Sequence, residues 1–349
     1  MRDIAKVFRL IACGALVCGA ASAAQVGERP VKVAGWFGTT WNNTRSFASF
    51  MKHADRIGEA SPFPWYCPRP NGSLMPCVPD SKEPDGKPVK AIEADLVKVF
   101  QEHKITLLPT IWEPERRFIT EPALRRKFIA SLVRLAVEKG YDGLDVDYED
   151  FKANERGAFT TFITELGEAL HKAGKLLSIA VFAKTAEPGD WDGPQSQDWP
   201  GLGRVVDRLR IMTYDYKEDS SEPGPIAPLW WFKQVLDFAV TVVPREKIQM
   251  GIPTYGYNWD KPGEAEDVSV TAARALAQKV KAEIKWDKES NSPFFIYPED
   301  DLVHQVWYED GRCLPAKLEA VRKAGIDGIV VWHFGSEDQD FWDALGSER

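Results

Sequence analysis

Chemistry is most legible in the run Tyr141-Asp142-Gly143-Leu144-Asp145-Val146-Asp147-Tyr148-Glu149-Asp150. On an extended strand, side chains alternate between faces. Asp145, Asp147 and Glu149 therefore share one side, and Leu144, Val146 and Tyr148 the other. The apolar partners mark the strand as buried, where three ionised carboxyls would cost of order several kcal/mol. Such a row serves protonation chemistry or an oxygen-ligated cation such as Mg or Ca. A solvated surface ribbon does not fit Leu144 and Val146. Zinc is not indicated, because the five His are scattered and no Cys/His spacing matches a ligand set. The chain also carries 13 Trp. Aromatic faces hold sugars, although core packing must account for most of them.

Positioning these groups requires a scaffold. Apolar, β-branched runs alternate with amphipathic helical patterns along most of the chain. Strands are predicted at Val31–Phe37, near Ile57–Ser61, and at Thr106–Trp112, Gly143–Val146, Leu177–Phe182, Leu209–Tyr214, Ile248–Pro253 and Ile329–His333. Helices are predicted at Ala91–His103, Ala123–Lys139, Glu155–Ala173, Leu229–Val242 and Ala316–Ala324. Eight strands with helices between them are the count of an α/β (β/α)8 barrel. Gly35-Trp36-Phe37-Gly38 after the first strand is no dinucleotide fingerprint. The last two strands lie too far apart for one helix and two loops. A small α+β insertion at about 261–313 is expected there, at the carboxyl end of the barrel.

Of 349 residues, 44% are hydrophobic and 28% charged, which suits a globular chain with a sizeable core. The formal net charge of -8, without clustered Lys or Arg, argues against nucleic acid as a partner. Arg2, Lys6 and Arg9, the apolar run Leu10–Ala20 and the small residues Ala21-Ser22-Ala23 read as a cleavable export signal over 1–24, leaving 25–349 as the barrel. That run is too short to span a bilayer of roughly twenty residues, so no membrane span is expected. Leu10-Ile11-Ala12-Cys13 resembles a lipoprotein box, but Arg9 directly before it leaves no hydrophobic region upstream. A lipid anchor is therefore not expected. Cys67 and Cys77 bracket a Pro- and Gly-rich loop, and a bridge between them suits an oxidising compartment. Cys313 is left over as a buried small residue.

The carboxylate run resembles the Asp-Gly-x-Asp-x-Asp-x-Glu signature of glycoside hydrolase family 18, the chitinase-like barrels. Asp142, Gly143, Asp145, Asp147 and Glu149 fill its fixed places. Met212-Thr213-Tyr214-Asp215, Gly251-Ile252-Pro253-Thr254-Tyr255-Gly256 and Trp332 follow in the family's order. The resemblance implies retaining hydrolysis of β-linked N-acetylhexosamine chains, with the substrate's own acetamido oxygen as nucleophile and no cofactor. It implies Glu149 as general acid and then base. Asp147 would turn between Asp145 and the acetamido N–H, and Tyr214 would bond the acetamido oxygen. Asp215 would hold the distorted sugar and Trp332 would floor it. Tyr255 and Phe37, at strand ends facing the same mouth, are further candidates for substrate binding. The charge of Asp145 and Asp147 is expected to raise the pKa of Glu149. Trp41, Trp65, Trp191, Trp230, Trp231 and Trp259 are candidates for outer sugar subsites.

At the third strand the family's Ser-x-Gly-Gly is replaced by Leu107-Leu108-Pro109-Thr110-Ile111-Trp112. With the Pro-x-Tyr-Gly seventh strand, this looks more like the spore-cortex and chitobiase-type branches. The leading expectation is an exported hydrolase of β-1,4-linked N-acetylglucosamine glycans. The alternatives are a glucosaminidase acting on peptidoglycan or on the chitobiose core of glycoproteins, a sugar-binding lectin on an inactive barrel, and a cation-dependent phosphodiesterase. Lectins of this family typically lose the terminal acid, whereas Glu149 is present.

Overall fold

The computed structural model describes residues 31–40, 43–69, 71–77, 95–113 and 115–346. The leader expected over 1–24, the helix start at 91–94 and Trp41 lie outside these residues. The eight barrel strands are Lys32–Gly38, Glu59–Phe63, a third in two pieces (Thr106–Leu107 and Thr110–Trp112), Gly143–Asp147, Leu176–Phe182, Arg208–Met212, Ile248–Pro253 and Gly328–Trp332. All neighbouring pairs are parallel, and the last strand pairs with the first in the register Lys32↔Gly328. The third strand closes the ring from both sides. Glu59 pairs with Thr106, and Thr110 pairs with Asp145. Pro109 has no N–H to offer the ladder and interrupts it there, while its carbonyl still accepts from the Asp145 N–H at 3.0 Å. The fold is an α/β TIM barrel.

Period-2 alternation sorts each strand into two environments. Val33, Phe37, Leu144, Val146, Leu209 and Ile211 face outward into the apolar layer under the helices. The helices that cover them include Pro122–Glu138, Arg156–Lys172, Leu229–Val242 and Leu314–Lys323. The inward residues build a polar core instead. Arg210, fully buried, donates to Glu59 Oε1 (2.9 Å), Ser61 Oγ (2.7 Å) and Gln249 Oε1 (3.0 Å), and its Nη1 lies 3.0 Å from Asp145 Oδ1. Burial pushes the Glu59 carboxyl up, but Arg210 and Arg208 outweigh it and hold the group below its ordinary range. Replacing Arg210 by Met is expected to cost about 3–5 kcal/mol, because buried Asp145 loses its cation and Glu59 keeps only Arg208. A denaturant midpoint unchanged from the parent would show that the network is not needed for stability.

Between the seventh and eighth barrel strands stand five antiparallel strands, in the spatial order Glu264–Ser269, Tyr255–Lys261, Leu302–Tyr308, Ser292–Glu299, Lys285–Asp287. One face packs Phe295, Tyr297, Val306 and Tyr308 against the helix Val270–Val280. The other turns Tyr257, Trp259 and Trp307 toward Tyr214 and Ile226 at the barrel mouth. The first two of these strands, Tyr255–Lys261 and Glu264–Ser269, add to the elements legible in the sequence.

Cys67 and Cys77 are bridged, with Cα atoms 5.3 Å apart across the small hairpin Tyr66–Pro68 and Leu74–Pro76. Closing so short a loop is worth about 2–3 kcal/mol. Cys313 is buried and free. No helix among the described residues is long and apolar enough to cross a membrane.

Candidate active site

The inward row of the fourth strand runs from the barrel core to its mouth. Asp145 lies deepest, fully buried. Trp36 Nε1 (2.9 Å) and Thr110 Oγ1 (2.8 Å) donate to its Oδ2, and Ser178 Oγ donates to Oδ1, which also faces Arg210. Both oxygens are thus occupied by donors from four different strands. Asp145 anchors the row and does not reach the cleft. Among the described residues, no group of three or more Asp, Glu, His or Cys is placed to hold a metal ion.

One step up, Asp147 is 5% exposed and reaches the cleft, and its Oδ1 has no hydrogen-bond partner. A hydrogen bond joins its carboxyl to that of Glu149, half-buried at the mouth. Burial and the charges of Glu149, Asp145 and Glu113 raise Asp147 well above the usual carboxylate range. Glu149 is pushed up to about 7, first by burial and then by Glu113, with Asp215 adding to it and the bond to Asp147 opposing it. The cause differs from the one expected from sequence. Desolvation and Glu113, just after the third strand, raise the acid, not the Asp145/Asp147 charge. Parallel register explains Glu113, since Trp112 pairs with Asp147 and Glu113 follows it. The pair therefore retains a proton near neutrality. Activity that needs this proton is expected to fall as pH rises through about 7. Glu113→Gln, which removes a negative neighbour, should move that alkaline limb down by about half a unit. A limb that stays in place in the pH profile of kcat/KM would refute the assignment.

The sixth strand delivers the next pair. Tyr214 is buried beside Asp147 and lines the cleft. Its ring fits because the seventh strand has Gly251 at the crossing, where a Cβ would stand 2.9 Å from the ring and 2.5 Å from Ile211 O. Asp215 adopts φ 56°, a left-handed conformation that Asp tolerates better than most residues. Its Oδ1 accepts from Tyr257 Oη at 3.0 Å and from Tyr255 Oη. Asp215 is exposed where it lines the cleft, and the surrounding walls of the mouth remove part of its water. That desolvation lifts it to about 6 against the two tyrosine bonds.

These residues open into a cleft of about 800 Å³, the size of ligand pockets in general. Trp332 forms part of it, its ring set edge-on to Phe63 (centroids 4.9 Å apart) and Trp36 (5.7 Å). Trp112 and Trp191 stand at its rim, 42% and 55% exposed. The Trp191 loop is pinned by Lys184, whose ammonium donates to Pro194 O and pairs with Glu187, both at 3.0 Å. Burial pushes this amine down to about 8.

Two of the sequence-predicted binding residues are placed elsewhere. Phe37 is fully buried outside the barrel, packed on Phe50 with ring centroids 5.0 Å apart. Trp36 occupies the inward phase of that strand, so Phe37 must face the helices. Tyr255 stands behind Asp215 rather than along the cleft, and Tyr257, two residues on, lines it. Of the candidate outer tryptophans, Trp191 and Trp231 line the cleft, Trp259 is fully buried, and Trp65 donates to Tyr141 Oη. Trp112 was legible all the same, because it shares the inward phase of Thr110 opposite Asp145 and Asp147.

A closed barrel with buried carboxyls rising to an aromatic cleft at the carboxyl ends of its strands defines an enzyme site for a sugar-like substrate. The family model described as Glycosyl hydrolases family 18 matches residues 113–338. The chain belongs to that family. It is 32% identical over 254 residues to the Bacillus subtilis (strain 168) protein named YdhD, covering 69% of this chain and 60% of that one. To the cortical fragment-lytic enzyme of the same organism it is 28% identical over 241 residues, covering 67% of this chain and 56% of the relative. The chain thus spans little more than half the length of these curated relatives. The crystal structure of a chitinase from Chromobacterium violaceum ATCC 12472 matches with a TM-score of 0.79 and 27% identity, over 91% of this chain and 98% of that chain.

Proposed function

We propose that this protein is a glycosidase that hydrolyses β-1,4 linkages of N-acetylglucosamine glycans with retention, using the substrate's acetamido oxygen as nucleophile. The observation that carries the reading is Asp147 Oδ1, a buried acceptor without a donor on a side chain that lines the cleft beside Glu149, so that a turn of the carboxyl would bring it to the substrate. An acetamido N–H supplies the missing donor. Glu149 protonates the departing glycosidic oxygen as the C1–O bond breaks and the acetamido oxygen bonds C1. Asp147 orients the amide and balances the positive charge of the oxazolinium, Tyr214 faces the acetamido oxygen, and Asp215 and Trp332 hold the sugar. Water then attacks C1, gives its proton to Glu149, and the acetamido group is released. This family departs from the rule that carboxyl separation sets the stereochemistry.

A thiazoline mimic of the bicyclic intermediate is expected to inhibit competitively and more tightly than substrate binds. An active enzyme untouched by it would point to a covalent carboxylate mechanism. The chitinase neighbour supports chitin oligomers as substrate, and the cortical fragment-lytic relative supports a peptidoglycan reading. Product analysis on chitin oligomers, peptidoglycan and a high-mannose glycopeptide side by side separates these readings. We also propose export, which the Cys67–Cys77 bridge supports.

A further inference from the structure

The cleft has a charge asymmetry that the catalytic chemistry does not use. Beyond Asp147, Glu149 and Asp215, two more carboxylates line it, Glu218 and Asp219, and among the described residues no Lys or Arg lines it. These two stand on the loop that follows the sixth barrel strand, and the loop is built to hold them. The Tyr216 N–H donates to Ile226 O (2.8 Å), the Glu218 N–H to Ser221 Oγ (3.0 Å), and the Gly263 N–H of the insertion to Ser221 O (2.9 Å). Glu218 Oε2 accepts from the Ser220 N–H at 3.2 Å. Lys217, the adjacent cation, places its ammonium 6.0 Å from the centre of the Tyr216 ring. That the cleft takes a ligand is indicated independently by the unpartnered, buried Asp147 Oδ1 and by the exposed Trp112 and Trp191.

We infer that the Glu218/Asp219 loop selects by charge, favouring glycans with an N-deacetylated, cationic glucosamine unit beside it and disfavouring units that carry a carboxylate. The inference rests on the proposed acetamido-assisted reaction and deepens it. The unit that is cleaved must keep its acetyl group, because that group is the nucleophile. The amine must then lie on a different unit of the chain, the one that meets the loop. An ammonium there gains from two carboxylates held in place before binding, so little ordering opposes the contact. A lactyl or peptide carboxylate in the same place meets like charge.

The test uses the full chain and chitotetraose isomers that each carry one free amine, against the fully acetylated tetramer, at about pH 6 where the amine is protonated. One isomer is expected to be cleaved with a higher kcat/KM than the acetylated tetramer at low salt, and about 0.5 M salt should erase the advantage. In the double variant Glu218→Gln, Asp219→Asn the ratio of the two kcat/KM values should fall about 5-fold, whatever happens to each alone. If all deacetylated isomers are cleaved no better than the tetramer at either salt, or if the double variant keeps the ratio, the charge selection is overturned. A parent enzyme that leaves the acetylated tetramer intact overturns the underlying reaction, and this inference with it.

Discussion

Glu149→Gln is expected to lower kcat by at least about 10²–10⁴-fold while leaving the thermal midpoint and oligosaccharide affinity near those of the parent. Glu149 and Asp147 share a hydrogen bond. A glutamine amide can still donate to Asp147, so the local packing survives. What disappears is the proton that must reach the leaving oxygen. Since Glu149 is lifted to about 7, the parent holds this proton below about pH 7 and loses it as pH rises through that value. The alkaline limb of the pH profile should vanish in the variant together with the rate. Near-parental turnover would remove Glu149 from the role of acid.

Asp147→Asn tests a different part of the reaction. If Asp147 only tunes the acid, its loss should matter little for a substrate with an activated aryl leaving group, which needs little protonation. If it orients the acetamido nucleophile and balances the oxazolinium charge, the defect should persist with that substrate at roughly 10²–10³-fold. Glu149→Gln, by contrast, should be partly rescued in its first step. The comparison has a sign as well as a size. Equal rescue of both variants would make Asp147 a mere neighbour of the acid, and the substrate-assisted reading would lose its main support. Burial alone predicts that Asn is tolerated, because an amide is less costly than a charge in that position.

Much of this architecture could be read from local pattern. The alternation in Gly143–Asp147 assigns Asp145 and Asp147 to the barrel interior and Leu144 and Val146 to the helix layer, as the burial of each shows. Leu229–Val242 and Ile248–Pro253 have the bounds their sequence patterns predict. The third strand is less regular than its run of apolar residues suggests, because Pro109 interrupts the ladder within it. Phe37 went astray for a related reason. A position at a strand end does not set the phase of the strand, and Trp36 takes the interior.

By itself, the sequence determined the elements, the strand phases and the carboxylate row, since each depends on spacing of a few residues along one backbone. What joins residues from distant strands was decided only by closure of the barrel. Register brought Glu113 to the acid, and ring closure aimed Arg210, Trp36, Thr110 and Ser178 at Asp145. Strand pairing in the insertion set Tyr257, and not Tyr255, on the cleft. The protonation of Glu149 belongs to the same class. It depends on how much water the assembled walls remove and on which charges they bring near. Neither quantity is written in the order of residues around it.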